Sequence, residues 1–255
     1  MNEQITVHDI ISHMDFLAPP ERAEEWDHIG LMVGSHQSEV KGVVLSLDVT
    51  TEAIDICKHT GANLIITHHP LFFTPCFSID ILTPRGKLIE LLFQDDISVF
   101  SAHTNLDGAD HSVNHALADA LGLTPVSSSA ISRFGLFCST KESVKYIGYS
   151  EWIREKLGSS GVFLNNNDNV DIKNLCLCAG SFDETIIPEI IDSRTDAVIT
   201  GEMKHHTMIF LNEAGVRVIA AGHEATERVI LKYLKESIRE RFPGITVNIA
   251  QGIVF

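Results

Sequence analysis

The sequence predicts an α/β fold of two subdomains, with mixed, largely parallel sheets flanked by helices. Three observations lead there. Leu64-Ile65-Ile66-Thr67 is a short apolar run, rich in β-branched residues, that stops at His68-His69-Pro70. Such a run reads as a buried strand of a parallel sheet, and proline cannot continue a central strand. Second, a strand at 42–48, a helix from Thr50 or Thr51 to about His59, closed by Gly61, and the histidine-ended strand make a β-α-β unit. Its crossover makes the two strands parallel. Third, strand and helix alternate again beyond a small, polar strip at 124–130.

The remaining elements follow in order. Thr6 is the expected N-cap of a helix through Leu17, with Ile10, Ile11, Met14 and Leu17 at helical spacing and Pro19-Pro20 ending it. Trp26-Asp27-His28-Ile29-Gly30-Leu31 reads as a loop. Residues 72–83 read as an irregular apolar loop, 85–95 as helix, and 98–102 as a strand ending in His103-Thr104-Asn105-Leu106-Asp107. Ser112 to Leu121 is a helix closed by Gly122. The strip at 124–130 is the expected boundary, giving a metal-site subdomain of 1–124 plus 215–255 and a second α/β subdomain of 125–214. Within the latter, strands are expected at 135–139, 175–179 and 197–200, and helices at 150–157 and 184–191. Val216–Ala221 is the next strand, Gly222-His223-Glu224-Ala225-Thr226-Glu227 opens one long helix to about Arg241, and 245–250 is the last strand.

Composition narrows the function. With 255 residues, 44% hydrophobic and 21% charged, the chain can bury a sizeable core. A net charge of −15 argues against a nucleic-acid or anionic-membrane partner, and anionic small molecules would be repelled unless bound cations reversed the local sign. No secretory leader and no membrane-length apolar run is read, and the five cysteines include no CxxC pair. Cys176 and Cys178 alternate within one strand as small core residues. A reduced, cytoplasmic setting is expected.

Chemistry concentrates at inferred strand ends. His68, His69, His103, Asp107, His205, His206, His223 and Glu227 all fall there, and His223 and Glu227 share one helix face a turn apart. A mixed His/carboxylate set without cysteine suits two divalent ions drawn from Zn, Mn, Fe, Ni or Co. Five ligands exceed what one catalytic zinc needs, so a dinuclear site is expected: His69 and Asp107 on one ion, His68 and His223 on the other, Glu227 bridging. His103 is expected behind the ligands or as proton shuttle, making His103 and Glu227 the catalytic pair. Glu202, His205 and His206 are candidate pocket residues. Asp48 and Asp27 rank lower, because Asp after a strand is also a good helix N-cap.

At Thr67-His68-His69-Pro70, His103–Asp107 and Gly222–Glu227 the chain resembles the YbgI-like family of dinuclear-metal proteins, the GTP cyclohydrolase 1 type 2 homologues. Trp26-Asp27 with Gly30-Leu31 and Thr200-Gly201-Glu202 resemble further motifs of that family, and His28 and Glu202 depart from its commonest residues. The resemblance implies two interlocked α/β subdomains, a toroidal homohexamer, and metal ligation by His68, His69, Asp107, His223 and Glu227. It further implies a metal-dependent hydrolase that opens the guanine imidazole ring of GTP with formate release. No Gly-rich phosphate loop of the P-loop or dinucleotide type is present. The competing expectation is a non-catalytic, metal-holding ring with a regulatory or partner-binding role. A third reading makes the histidines incidental.

Overall fold

In the computed structural model, which describes residues 4–126 and 134–252, the chain divides into two units, residues 4–110 with 231–252 and residues 111–230. The first opens on α1 (Val7–Leu17). Its capping box is complete, with the Thr6 hydroxyl accepting from the Asp9 amide and the Asp9 carboxylate accepting from the Thr6 amide. After a 3-10 turn at Pro20–Arg22 come β1 (Gly30–Val33), β2 (Gly42–Ser46), α2 (Thr51–Thr60), β3 (Leu64–Thr67), α3 (Pro84–Gln94), β4 (Ser98–Ser101) and the one-turn α4 (Thr104–Asp107). Thr50 caps α2 through the Ala53 amide, and Gly61 ends it at φ +76°, a backbone conformation that costs glycine nothing.

The second unit holds α5 (Val113–Ala120), β5 (Thr124–Pro125), β6 (Leu136–Lys145), α6 (Tyr146–Leu157), β7 (Phe163–Leu164), β8 (Asp171–Ser181), α7 (Ile187–Asp192), β9 (Ala197–Glu202), α8 (His205–Glu213), β10 (Arg217–Ala220) and α9 (His223–Glu227). The chain then returns to the first unit through α10 (Ile230–Arg241) and β11 (Thr246–Ile249).

The first sheet runs β1-β4-β3-β2-β11, with only the β1–β4 pair antiparallel. The second runs β5-β6-β8-β9-β10-β7, where β8, β9 and β10 form a parallel centre edged by antiparallel strands. The fold is therefore the mixed α/β type expected. Period-two alternation divides the second core cleanly. Leu175, Leu177, Ile199 and Ile219 bury one face of the sheet with Tyr146 and Ile153, while Cys176, Cys178, Val198 and Val218 bury the other with Ile190 and Leu211. Cys176 and Cys178 thus share a face as expected, their sulfurs 3.8 Å apart. In the first sheet Val44, Ile65 and Val99 pack on Ile54, Cys57 and Leu92.

Three expectations need correction. The units divide at 110/111 and 230/231, not at 124 and 214. The reason is packing: α5 lies on β8, β10 pairs with β9, and α9 packs on β8 and β9. Thr124-Pro125, at the start of the expected boundary, is strand and pairs with Ser139 and Cys138, while residues 127–130 of that boundary lie outside the described residues. The long helix from Gly222 is two, α9 and α10, interrupted where the chain passes between units. Among the described residues no helix is long and apolar enough to cross a membrane.

Ile65 is fully buried at the centre of the first sheet. Ile65→Ala is expected to cost about 2–5 kcal/mol, read as a lowered urea midpoint at unchanged slope.

Candidate metal centre

The first unit builds one group of donors. Because β2, β3 and β4 run parallel, their carboxyl ends open on one edge of the sheet, where ligands bind in such folds. Asp48, the His68-His69 pair and His103 leave the strands there. Each of the three imidazoles is held through Nδ1. That of His68 donates to the Ala102 carbonyl at 3.0 Å, that of His69 to Asp48 Oδ1 at 3.0 Å, and that of His103 to Asp27 Oδ1 at 3.0 Å. A carbonyl or carboxylate oxygen only accepts, so Nδ1 carries a proton in each ring and Nε2 is the nitrogen the ring presents to the site. His68 is buried at 2% exposure. One ligand-type atom from each of His68, His69 and His103 lies within 4.8 Å of the others. Asp107 ends α4, with Oδ1 3.8 Å from His68 Nε2.

The second unit builds another. Its parallel strands β8, β9 and β10 also deliver residues from their carboxyl ends: Gly180, Glu202 and, one residue past the turn, His223. His223 Nε2 stands 3.1 Å from Glu227 Oε2 across one turn of α9, as their four-residue spacing predicts. His223 Nδ1 donates to Glu202 Oε1 at 3.1 Å, so this ring is oriented like the other three. Gly180, at φ +67°, makes room for the pair. A Cβ there would overlap Glu227 Oε1 and approach His223 Nε2 to 3.3 Å. The Gly180 amide donates to the Thr226 hydroxyl at 3.0 Å, tying β8 to α9.

These donors fit divalent cations. Imidazoles fixed through Nδ1 by carboxylates or carbonyls are the usual setting of metal-bound histidine. Acidic ligands are present and thiolates are not: Cys57 and Cys138 lie in the cores, their thiols pushed up to about 12 by burial. The set can hold metal and, through it, activate water.

The structure sorts the other candidates. Glu202 is an anchor of His223. His206 points its Nε2 at Glu184 Oε1, 3.1 Å away, and His205 is exposed at the start of α8. Asp48 and Asp27, ranked low as possible caps, each hold a histidine of the site, and Thr50 does the capping of α2. Asp48 lies 21 residues from His69, and Asp27 lies 76 from His103, so no local spacing announces either bond. Gly180 carries no local signal beyond being a glycine at the end of a predicted strand.

Comparison with known proteins places the chain in a family. The Duf34/NIF3 (NGG1p interacting factor 3) family profile matches residues 5–253, and the chain belongs to that family. A Clostridium perfringens protein named GTP cyclohydrolase 1 type 2 homolog is 30% identical over 243 residues, which are 92% of each chain. Among solved structures, the Staphylococcus aureus hypothetical protein SA1388 superposes with a TM-score of 0.88 at 25% identity, covering 98% of this chain and 97% of that one. Protein ybgI, described as of unknown function, does so with 0.85 at 22% identity, covering 96% and 97%, a likeness of fold.

Gly180→Ala is expected to push Glu227 off its position and lower the metal content of purified protein, measured by elemental analysis, with circular dichroism unchanged. Glu202→Gln is expected to weaken metal affinity about 10- to 100-fold, measured by competition with a chromophoric chelator.

Proposed function

We propose that the protein is a metal-dependent hydrolase acting on a nucleotide-like substrate, with opening of the guanine imidazole ring of GTP and release of formate as its specific reaction. In this reading His68, His69, Asp107, His223 and Glu227 are the residues that would hold two divalent ions. A ring of six copies belongs to the same proposal. The observation that carries it is the uniform anchoring of the histidines: Nδ1 of His68, His69, His103 and His223 is bonded to an oxygen acceptor. The name carried by the 30%-identical relative supplies the cyclohydrolase part.

When bound, the ions would lower the pKa of a water toward 7 and polarise the substrate (about 7). The chain's own residues do the rest. Asp48 and Glu202 keep the ligand rings from turning. His103 takes a proton at Nε2 from the attacking water and returns it to the departing ring nitrogen, a role worth about 10²- to 10⁴-fold in rate. In a chain of net charge −15, the cations also supply the positive field that an anionic nucleotide needs.

Tag-free protein should carry about two equivalents of divalent metal by elemental analysis, and the metal-loaded protein should release formate from GTP. His69→Ala should abolish turnover and leave the oligomer, measured by light scattering, intact. Metal-loaded protein that releases no formate rejects the GTP assignment. Inactivity across a panel of nucleotides and phosphoesters, with metal retained, replaces the hydrolase by the metal-holding assembly.

A further inference from the structure

Asp27 is a carboxylate that the proposed ligand set leaves out, yet its side chain is only 1% exposed. Oδ1 accepts from His103 Nδ1 at 3.0 Å. Oδ2 accepts from the Thr104 amide at 3.0 Å and from the Thr104 hydroxyl at 2.5 Å. That hydroxyl in turn accepts from the Glu24 amide at 2.9 Å, fastening the loop before β1 to the start of α4. Burial by itself raises the Asp27 carboxyl, but the bonds from His103 and Thr104 outweigh it and hold the group well below the usual carboxylate range. Around the ring, Trp26 and Phe73 stand edge-on at 75° and 89°, and His68 and His69 lie 5.2 and 5.7 Å away centre to centre.

We propose that Asp27 is a positioning residue: it fixes His103 in the Nδ1–H tautomer and so presents the Nε2 lone pair beside His68 and His69. A buried acceptor behind a histidine that must take a proton is the logic of the carboxylate–histidine pair in hydrolases on unrelated folds. Turning the ring over would break the Asp27 bond and place a carbon where Nε2 stands. Asp27 itself does not reach the substrate. The use made of the proton rests on the hydrolase reading above; the tautomer does not.

Asparagine separates this role from simple loop closure. Asp27→Asn can still accept from Thr104 through Oδ1, but its amide then donates to His103 Nδ1, which moves the ring proton to Nε2. Two-bond ¹H–¹⁵N spectra of the full chain with labelled histidine read the tautomer directly, both metal-free and zinc-loaded, with His103 assigned from His103→Gln. The expected result is Nδ1–H in the wild type and Nε2–H in Asp27→Asn, at unchanged metal content. On any nucleotide the wild type hydrolyses, kcat should fall about 10²- to 10⁴-fold with KM little changed. A wild-type His103 protonated at Nε2, or an Asp27→Asn ring still protonated at Nδ1, overturns the proposal. So does metal loss from His103→Gln, which would make His103 a ligand. Should Asp27→Asn fail to fold, the wild-type spectrum still decides. Thr104→Val, which keeps the carboxylate while removing a hydroxyl that bonds it, must then also retain Nδ1–H. Absence of hydrolysis with any substrate would remove the hydrolase reading alone, and the spectra then decide the tautomer.

Discussion

Everything at this site depends on an imidazole that cannot turn. A histidine ring offers two nitrogens, and a metal or a proton finds the right one only when the other is committed. Here His68, His69, His103 and His223 are each held at Nδ1, by one main-chain carbonyl and three carboxylates. The acceptors are themselves positioned by the fold. Ala102 and Asp48 lie just beyond the ends of strands that flank β3, and Glu202 ends the strand beside β10. Parallel pairing therefore does two tasks at once. It gathers His68, His69 and His103 at the carboxyl edge of the first sheet and brings His223 to that of the second. It also sets a residue at or just past the end of a neighbouring strand behind His68, His69 and His223; His103 is held instead by Asp27, from the loop before β1.

Both units use this device. Each centres on three mutually parallel strands, β2–β3–β4 in one and β8–β9–β10 in the other, and each places its donors at their carboxyl ends. The units differ in how tightly the donors are enclosed. His68 sits almost wholly inside the first, its Nδ1 satisfied by the Ala102 carbonyl. Glu227, with 8% of its side chain exposed, is a carboxylate in a crowded place, lodged against a glycine whose missing Cβ is the space it occupies. Under the metal-binding proposal, a cation held with His223 would offset the cost of burying that carboxylate.

How far the residues could be read in advance depended on the distance over which each bond acts. The Thr6 cap, the Gly61 stop and the buried β3 run are local patterns, and all formed as expected. The His223–Glu227 pair is a one-turn relation and was equally legible. Asp48 and Asp27 looked like ordinary caps because an Asp after a strand serves that purpose in many proteins. β1, partly read as loop, forms only because Gly30 to Val33 find β4 as an antiparallel partner some seventy residues on. The two short edge strands β5 and β7, two residues each, carry no periodic signal of their own.

By itself the sequence determined the order and type of the main elements, the strand ends that carry histidine, and the one-turn pairing on α9. Those follow from side-chain periodicity and capping, which act over a few residues. Only the tertiary structure decided which nitrogen of each histidine is presented, which carboxylate stands behind it, and where one unit ends and the other begins. Those depend on hydrogen bonds spanning from 21 residues, for Asp48 and His69, to 77, for Asp27 and Thr104. Such bonds exist only once packed sheets have brought the two partners together.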